Sequence, residues 1–178
     1  MIKRAWLMGL VVIPLLVNAY LLYAVENDYR LGSGDRIKVT VFRHEDLSGE
    51  FEVNGAGRIH LPLIQEVQAA GLTAQELEQA ITDKLKPDYL KEPRVSVQVL
   101  TYRPFYILGE VNSPGSYAYV NGMTVVTAIA RAGGYTYRAK QDYVYISRAG
   151  DSEKKKQRAD PNAPVYPGDV IEVPERLF

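Results

Sequence analysis

Residues 31–42 have the sequence LGSGDRIKVTVF. The two glycines around Ser33, followed by an aspartate that can accept hydrogen bonds from the turn backbone, are typical of a tight turn. Directly after this turn, three β-branched residues alternate with polar or exposed positions: Ile37, Val39 and Val41. A period of two predicts a half-buried β-strand. The first folded segment is therefore expected to open with a turn and a strand.

The same unit recurs near the other end of the chain, where residues 168–173 have the sequence GDVIEV. A glycine, an aspartate and an alternating strand again follow one another. Two interpretations remain open. The echo is either a common turn-to-strand signature, or the last strand, within residues 165–178, completes the sheet that the first strand begins.

Residues 29–100 between these points are expected to form an α+β unit. Strands are predicted at residues 50–53 and 58–63, joined as a hairpin by the turn of residues 54–57. Thr73 and Glu76 fit a capping box at the start of an amphipathic helix, which Pro87 ends. Pro93 then precedes a strand in which three valines face one way: Val95, Val97 and Val99.

Residues 102–148 are expected to form a second small unit. Strands are predicted at residues 105–110, 117–120 and 142–147, with a type II turn at Pro114 and Gly115 in which Gly115 takes a positive φ. A short helix begins at Thr124 and stops at Gly133 and Gly134. This order resembles a β-grasp, so the fold class is α+β with two small domains. Residues 149–164 lack apolar periodicity and are expected to form an exposed loop.

The N-terminus has the pattern of an export signal. Lys3 and Arg4 precede residues 5–24, which carry no charge. Residues 1–24 are either a cleaved signal peptide or a permanent inner-membrane anchor. Both alternatives place the rest of the chain in the periplasm, with the outer membrane as a further site of association.

Composition excludes several classes of function. The 21 basic and 21 acidic residues balance, so bulk charge indicates no nucleic-acid partner. The absence of cysteine excludes disulfides, thiolate metal sites and a cysteine nucleophile. His44 and His60 have no metal-ligand spacing. We therefore expect no catalytic residue, metal or cofactor.

Three groups of residues remain as candidates for chemistry or contact. Glu45 and Asp46 are the alternative pair for a polysaccharide hydrolase, because glycosidases use two carboxylates. Arg43, His44, Glu45 and Arg58 are candidates for saccharide contacts, since loops often carry binding residues. Around the exit of the second helix, tyrosines are candidates for an interface: Tyr135, Tyr137, Tyr143 and Tyr145.

A series of segments occurs in a characteristic order: residues 29–35 (YRLGSGD), 53–63 (VNGAGRIHLPL), 71–77 (GLTAQEL), 93–97 (PRVSV), 106–111 (YILGEV), 114–117 (PGSY), 128–134 (AIARAGG) and 167–178 (PGDVIEVPERLF). In this order they resemble the bacterial polysaccharide export (Wza-like) family, with a polysaccharide export domain followed by an SLBB β-grasp domain. The resemblance covers nearly all of residues 29–178.

The resemblance implies a non-enzymatic export component that forms a homo-oligomeric ring and works with an inner-membrane polysaccharide co-polymerase. Family members carry a lipidated cysteine and a C-terminal amphipathic helix, and this sequence shows neither. We therefore expect a periplasmic ring or adaptor that passes polysaccharide to a separate outer-membrane channel of the β-barrel type. The alternative is a soluble β-grasp module that binds a saccharide or small ligand without a conduit role.

The motif residues carried over from the resemblance are architectural, chiefly turn glycines and their neighbours. They are Gly34, Asp35, Gly57, Pro62, Gly109, Pro114, Gly115, Gly133, Gly134, Gly168 and Asp169.

Overall fold

A computed structural model describes residues 29–86, 88–151 and 155–176. The strands are β1 (Arg36–Val41), β2 (His44–Glu52), β3 (Arg58–Leu61), β4 (Gln65–Gln68), β5 (Val95–Thr101), β6 (Phe105–Gly109), β7 (Gly115–Tyr117), β8 (Val144–Ser147), β9 (Gln157–Ala159) and β10 (Val170–Val173); the helices are α1 (Ala74–Leu85) and α2 (Val125–Arg131). Neither helix of the described residues has the length and apolar character needed to cross a membrane. The predicted N-terminal export signal and Pro87 lie outside the described residues.

The first sheet has the order β2-β1-β5, with β1 antiparallel to both neighbours. Alternate residues of β1, beginning with Ile37, are at most 1% exposed and share one core with the buried face of α1. The Thr73 hydroxyl accepts from the Glu76 N–H at 3.1 Å, and the Glu76 carboxylate accepts from the Thr73 N–H at 2.8 Å. The predicted strand and capping box are thus confirmed.

The predicted hairpin between residues 50–53 and 58–63 is wrong in its pairing. β2 begins at His44 and pairs with β1, because a turn at Phe42 and Arg43, with Arg43 at φ 65°, folds the chain back immediately. β3 ends at Leu61 and pairs with β4 instead. Leu63, at φ 66°, lies in the turn between them. The turn at residues 54–57 therefore links two sheets rather than two paired strands.

The second sheet has the order β7-β6-β10-β8-β9. One face of it shares a second core with α2, in which Phe105, Ile107 and Ile171 are fully buried. Gly133 and Gly134 follow α2 at φ 79° and 86°, as expected for residues that end a helix. The two cores have no residue in common. The α+β class predicted from the sequence is confirmed.

In the C-terminal part, the structure decides between the two interpretations of the repeated glycine-aspartate unit, and one predicted loop is wrong. β10 does not return to the first sheet. It lies between β6, to which it is parallel, and β8, to which it is antiparallel. Within the predicted loop of residues 149–164, residues 157–159 form β9 and pair with β8. β9 could not be predicted from the sequence, because a short, charged edge strand lacks the apolar periodicity of a central strand.

The turn between β6 and β7 also differs from the prediction. Gly115 has no positive φ and is the first residue of β7. The left-handed residue of this connection is Gly109, at φ 85°. A Cβ on Gly109 would lie far inside van der Waals contact with the carbonyl oxygen of Val173, its partner in β10. The close approach of two backbones, as well as the turn, therefore requires glycine at position 109.

We predict that Gly109→Ala destabilises the protein by about 2 kcal/mol or more, because it adds backbone strain to a collision with a strand. Gly115→Ala is the matched control, since its Cβ would meet nothing within 4 Å. It should be neutral or stabilising by up to about 1 kcal/mol. Urea unfolding of both variants measures the difference. Equal effects would contradict this account of the two glycines.

Candidate functional site

The two sheets are joined by a connection of only three residues, 102–104, between β5 and β6. Two turns meet this connection. The first is the turn of residues 32–35 before β1, and the second is the turn of residues 166–169 before β10. We call them the first and second Gly-Asp turns. The sequence echo therefore corresponds to two turns that contact the same short stretch of chain.

Asp35 is the centre of the first Gly-Asp turn and is fully buried. Its carboxylate accepts from the Gly32 N–H and the Arg103 N–H, each at 2.7 Å. It also accepts from the Tyr29 hydroxyl at 2.5 Å and from Arg103 Nη1 at 3.0 Å. A buried carboxylate needs such partners, because an uncompensated charge in the interior is costly. Asp35 therefore fixes the connection by both the backbone and the side chain of Arg103.

Asp169 has the corresponding position in the second Gly-Asp turn and is 1% exposed. Its carboxylate accepts from the Tyr166 N–H at 2.8 Å and from Arg148 Nη1 at 2.5 Å. Burial raises the pKa of Asp169, and the Tyr166 N–H and the Arg148 guanidinium oppose that shift. The two turns thus have the same design, each with a buried aspartate, a backbone donor three residues earlier and an arginine.

Arg103 lies between the two turns. A Cβ on Gly168 would come within 2.7 Å of Arg103 Nε, and a Cβ on Gly32 would overlap its Nη1. The Gly168 N–H donates to the Pro104 carbonyl at 3.1 Å. Glycine at positions 32 and 168 therefore makes room for the arginine, and both turns pack against one side chain.

Tyrosine rings extend this junction. The rings of Tyr29 and Tyr102 meet edge to face with centroids 4.9 Å apart, and those of Tyr102 and Tyr119 do so at 5.4 Å. This is a favourable geometry for aromatic pairs. Burial, together with the hydrogen bond to the Asp35 carboxylate, raises the pKa of Tyr29 well above its ordinary value. Tyr29 therefore stays protonated and keeps its donor role.

A cleft of about 570 Å³ opens at this junction. Its lining is rich in arginine and tyrosine: Tyr29, Arg30, Arg103, Tyr119, Asn121, Arg148, Ala149, Gly150, Tyr166, Pro167 and Asp169. The side chains of Arg103 and Arg148 are 20% and 28% exposed, whereas their partners Asp35 and Asp169 are buried. The charge that the junction presents to solvent is therefore cationic. We call this feature the junction cleft.

The candidate contact residues from the sequence lie elsewhere. Arg43 and His44 line a smaller hollow of about 260 Å³ with Phe42, Glu92 and Arg94. Glu45 is exposed on β2 and does not line that hollow. Arg58 pairs with Glu66 across the β3–β4 hairpin. Of the four candidate contact residues, Arg43 and His44 are the two that line one hollow together. A saccharide-binding role for the four residues stays a prediction.

The tyrosines after α2 have different surroundings. Tyr137 is 82% exposed, whereas Tyr135 packs against the second core. The Tyr135 hydroxyl is buried and has no hydrogen-bond partner among the described residues. Burial raises the pKa of this phenol. Tyr143 and Tyr145 form an edge-to-face pair with centroids 5.4 Å apart. An interface role for these tyrosines stays a prediction.

The sequence pattern predicts the aspartates of the two turns but not Arg103 or Arg148. Each arginine follows shortly after a strand, at a sequence distance of 68 and 21 residues from its aspartate. The sequence gives one indirect indication of these arginines. Two predicted Gly-Asp turns need two cationic partners, but composition does not say which residues these are. The missing information was which strand ends meet.

Comparison with known proteins identifies two domain families in the chain. Residues 23–100 match the family described as polysaccharide biosynthesis/export protein, and residues 104–156 match the SLBB domain. The boundary between the two matches falls at the connection that holds Arg103.

Curated relatives have consistent descriptions. The exopolysaccharide production protein ExoF of Rhizobium meliloti is 31% identical over an alignment that covers 85% of this chain and 41% of the relative. The EPS I polysaccharide export outer membrane protein EpsA of Ralstonia nicotianae is 29% identical over 87% of this chain and 49% of its own. The polysialic acid transport protein KpsD of Escherichia coli is 31% identical over 60% of this chain and 20% of its own. The chain therefore spans a fifth to about half of these relatives.

We predict that Arg103→Ala destabilises the protein by about 3 kcal/mol, because it leaves the buried Asp35 carboxylate without its cation. Arg36→Ala is the matched control, since Arg36 pairs with Glu50 on the surface with both side chains more than half exposed. It should change stability by less than about 1 kcal/mol. Thermal and urea unfolding of the two variants compare them. Similar losses would show that Asp35 does not depend on Arg103.

We also predict that Tyr135→Phe leaves the protein as stable as before or stabilises it by about 1 kcal/mol. The change removes a buried hydroxyl that has no partner among the described residues and keeps the ring in the second core. Urea unfolding measures the effect. A loss of more than about 1 kcal/mol would show that the hydroxyl is satisfied in solution.

Proposed function

The chain belongs to the bacterial polysaccharide export protein family, and on that premise we propose that it is a periplasmic component of a capsular or exopolysaccharide export machine. The observation that carries the proposal is the matching of both domain types, in order, over residues 23–100 and 104–156. Members of this family are export proteins and not enzymes. Glu45 and Asp46, the alternative catalytic pair, are both exposed on β2, as solvated carboxylates would be.

A location outside the cytoplasm is part of the proposal. Its support is the N-terminal sequence, in which Lys3 and Arg4 precede the uncharged residues 5–24. The relatives agree with this location, since they include a transport protein and an export outer membrane protein. The signal is either removed or kept as an anchor, and the described residues function on the periplasmic side in both cases.

Self-assembly into a ring is the second part of the proposal, with the outer face of the second sheet as the contact between copies. This face carries Tyr106 and Leu108, which are 43% and 47% exposed although they lie in a strand next to the sheet centre. Glu172 and Tyr145 are their neighbours across β10 and β8. Tyrosines and leucines beside a charge are typical of an interface that is partly apolar and partly polar.

The proposed partners follow from the family. The ring would receive polysaccharide from an inner-membrane co-polymerase and pass it to a separate outer-membrane channel. The motif glycines and aspartates would then have an architectural role, and the contacts of the two Gly-Asp turns with the connection between the sheets support it. A second candidate function is a soluble saccharide-binding module, and the junction cleft favours it, because a concave site with polar groups is where small ligands bind.

We predict that the purified chain forms a discrete high-order assembly, alone or with its inner-membrane partner, and that Leu108→Asp reduces it to smaller species. A charge on the contact face would be desolvated on assembly. Val126→Asp is the control, because Val126 is 44% exposed on α2, which packs on the opposite face of the sheet. Native mass measurement across a concentration series gives the result, with circular dichroism to verify folding.

A strict monomer in both conditions would overturn the ring and favour the saccharide-binding module. Disruption by Val126→Asp with no effect of Leu108→Asp would keep the assembly but place its contact on the helical side of the second unit.

A further inference from the structure

The junction cleft has the chemistry of a binding site for an anionic sugar. We infer that it binds a single carboxylate-bearing sugar unit of a polysaccharide, with the arginines on the carboxylate and the tyrosines on the ring. The choice of a saccharide as ligand rests on the proposed function, and the choice of a carboxylate rests on the charges and donors of the cleft itself.

The electrostatic asymmetry of the cleft is the first support. Asp35 and Asp169 are buried and accept hydrogen bonds from backbone N–H groups as well as from arginine. Arg103 and Arg148 stand between these carboxylates and solvent, so an entering ligand meets guanidinium before carboxylate. Arg30, with a side chain 58% exposed, is a third arginine of the lining and pairs with Glu76 at 2.9 Å. Among the described residues of the lining, the buried Asp169 is the one acidic residue.

Unused donors are the second support. Among the described residues, the side-chain hydrogen bonds of Arg103 and Arg148 all run from Nη1. Nη2 of both arginines has no acceptor there, whereas Nε of Arg103 lies against Gly168. A guanidinium presents its donors in a planar fork that matches the two oxygens of a carboxylate, and such charge-assisted bonds are stronger than neutral ones. A neutral sugar would offer these donors no charged acceptor.

The aromatic lining is the third support. Tyr119 and Tyr166 line the cleft, and a tyrosine ring with a polar tip suits a sugar that has apolar C–H faces and hydroxyl edges. Tyr166 is 50% exposed, and the Arg148 guanidinium lies 4.8 Å from its ring centroid. Asn121 adds an amide that both donates and accepts. The volume of about 570 Å³ is within the range of about 300–1,000 Å³ found for ligand sites.

The experiment compares two oligosaccharides of equal length, one of glucuronate units and one of glucose units, titrated into the purified full chain and followed calorimetrically. We expect the glucuronate oligosaccharide to bind at least about tenfold more tightly, and its affinity to fall as salt is added. Two variants outside the buried ion pairs test the site, namely Arg30→Gln and Tyr166→Ala. Each should weaken glucuronate binding about tenfold.

Two matched controls exclude general effects of charge and exposed aromatic area. Arg36→Gln removes an equally exposed arginine that also pairs with a glutamate. Tyr89→Ala removes a tyrosine that is 48% exposed and does not line the junction cleft. Both should bind glucuronate as the unaltered chain does. Equal affinity for the two oligosaccharides, no binding of either, or equal losses in test and control variants would overturn the inference.

Failure of this inference and failure of the proposed function give different results. A chain that assembles into a high-order species but does not discriminate the two oligosaccharides overturns the cleft inference alone. A strict monomer that binds the glucuronate oligosaccharide through Arg30 and Tyr166 keeps the cleft and overturns the ring.

Discussion

The contact between Asp35 and Arg103 is the constraint on which the arrangement of the two sheets depends. Asp35 is fully buried, so its charge has to be matched inside the protein. The matching group comes from a residue 68 positions later, within a connection of three residues between the sheets. The same interaction therefore closes the first Gly-Asp turn, fixes the course of the connection and sets where the second sheet begins.

In the second Gly-Asp turn, the buried Asp169 is matched in the same way by Arg148. The glycine of this turn, Gly168, packs against Arg103. Two buried carboxylates thus hold two arginines at one place, and the tyrosine rings around them cover the junction. The cost of burying a charge explains the pairing, and the pairing in turn leaves guanidinium groups facing the junction cleft. A structural device for joining two small units therefore also creates a site with cationic character.

Local patterns in the sequence predicted the local structure correctly at several places. The alternation in β1, the capping box of α1 and the glycines after α2 all appear in the structure, because each depends on residues only a few positions apart. Pairing was predicted less well. The turn at Arg43 and the edge strand β9 depend on partners that the local pattern does not name, and the positive φ belongs to Gly109 rather than Gly115.

The fold class, most of the strands and helices, and the two Gly-Asp turns could be predicted from the sequence, since these follow from side-chain periodicity and backbone conformational preference. The family resemblance rests instead on the order of motifs along the chain. The position of β10 between β6 and β8, and the pairing of Arg103 and Arg148 with the two aspartates, could be seen in the folded protein alone. The junction cleft belongs to this second group. Its residues come from both ends of the chain and from its middle, and long-range packing, rather than any local pattern, brings them together.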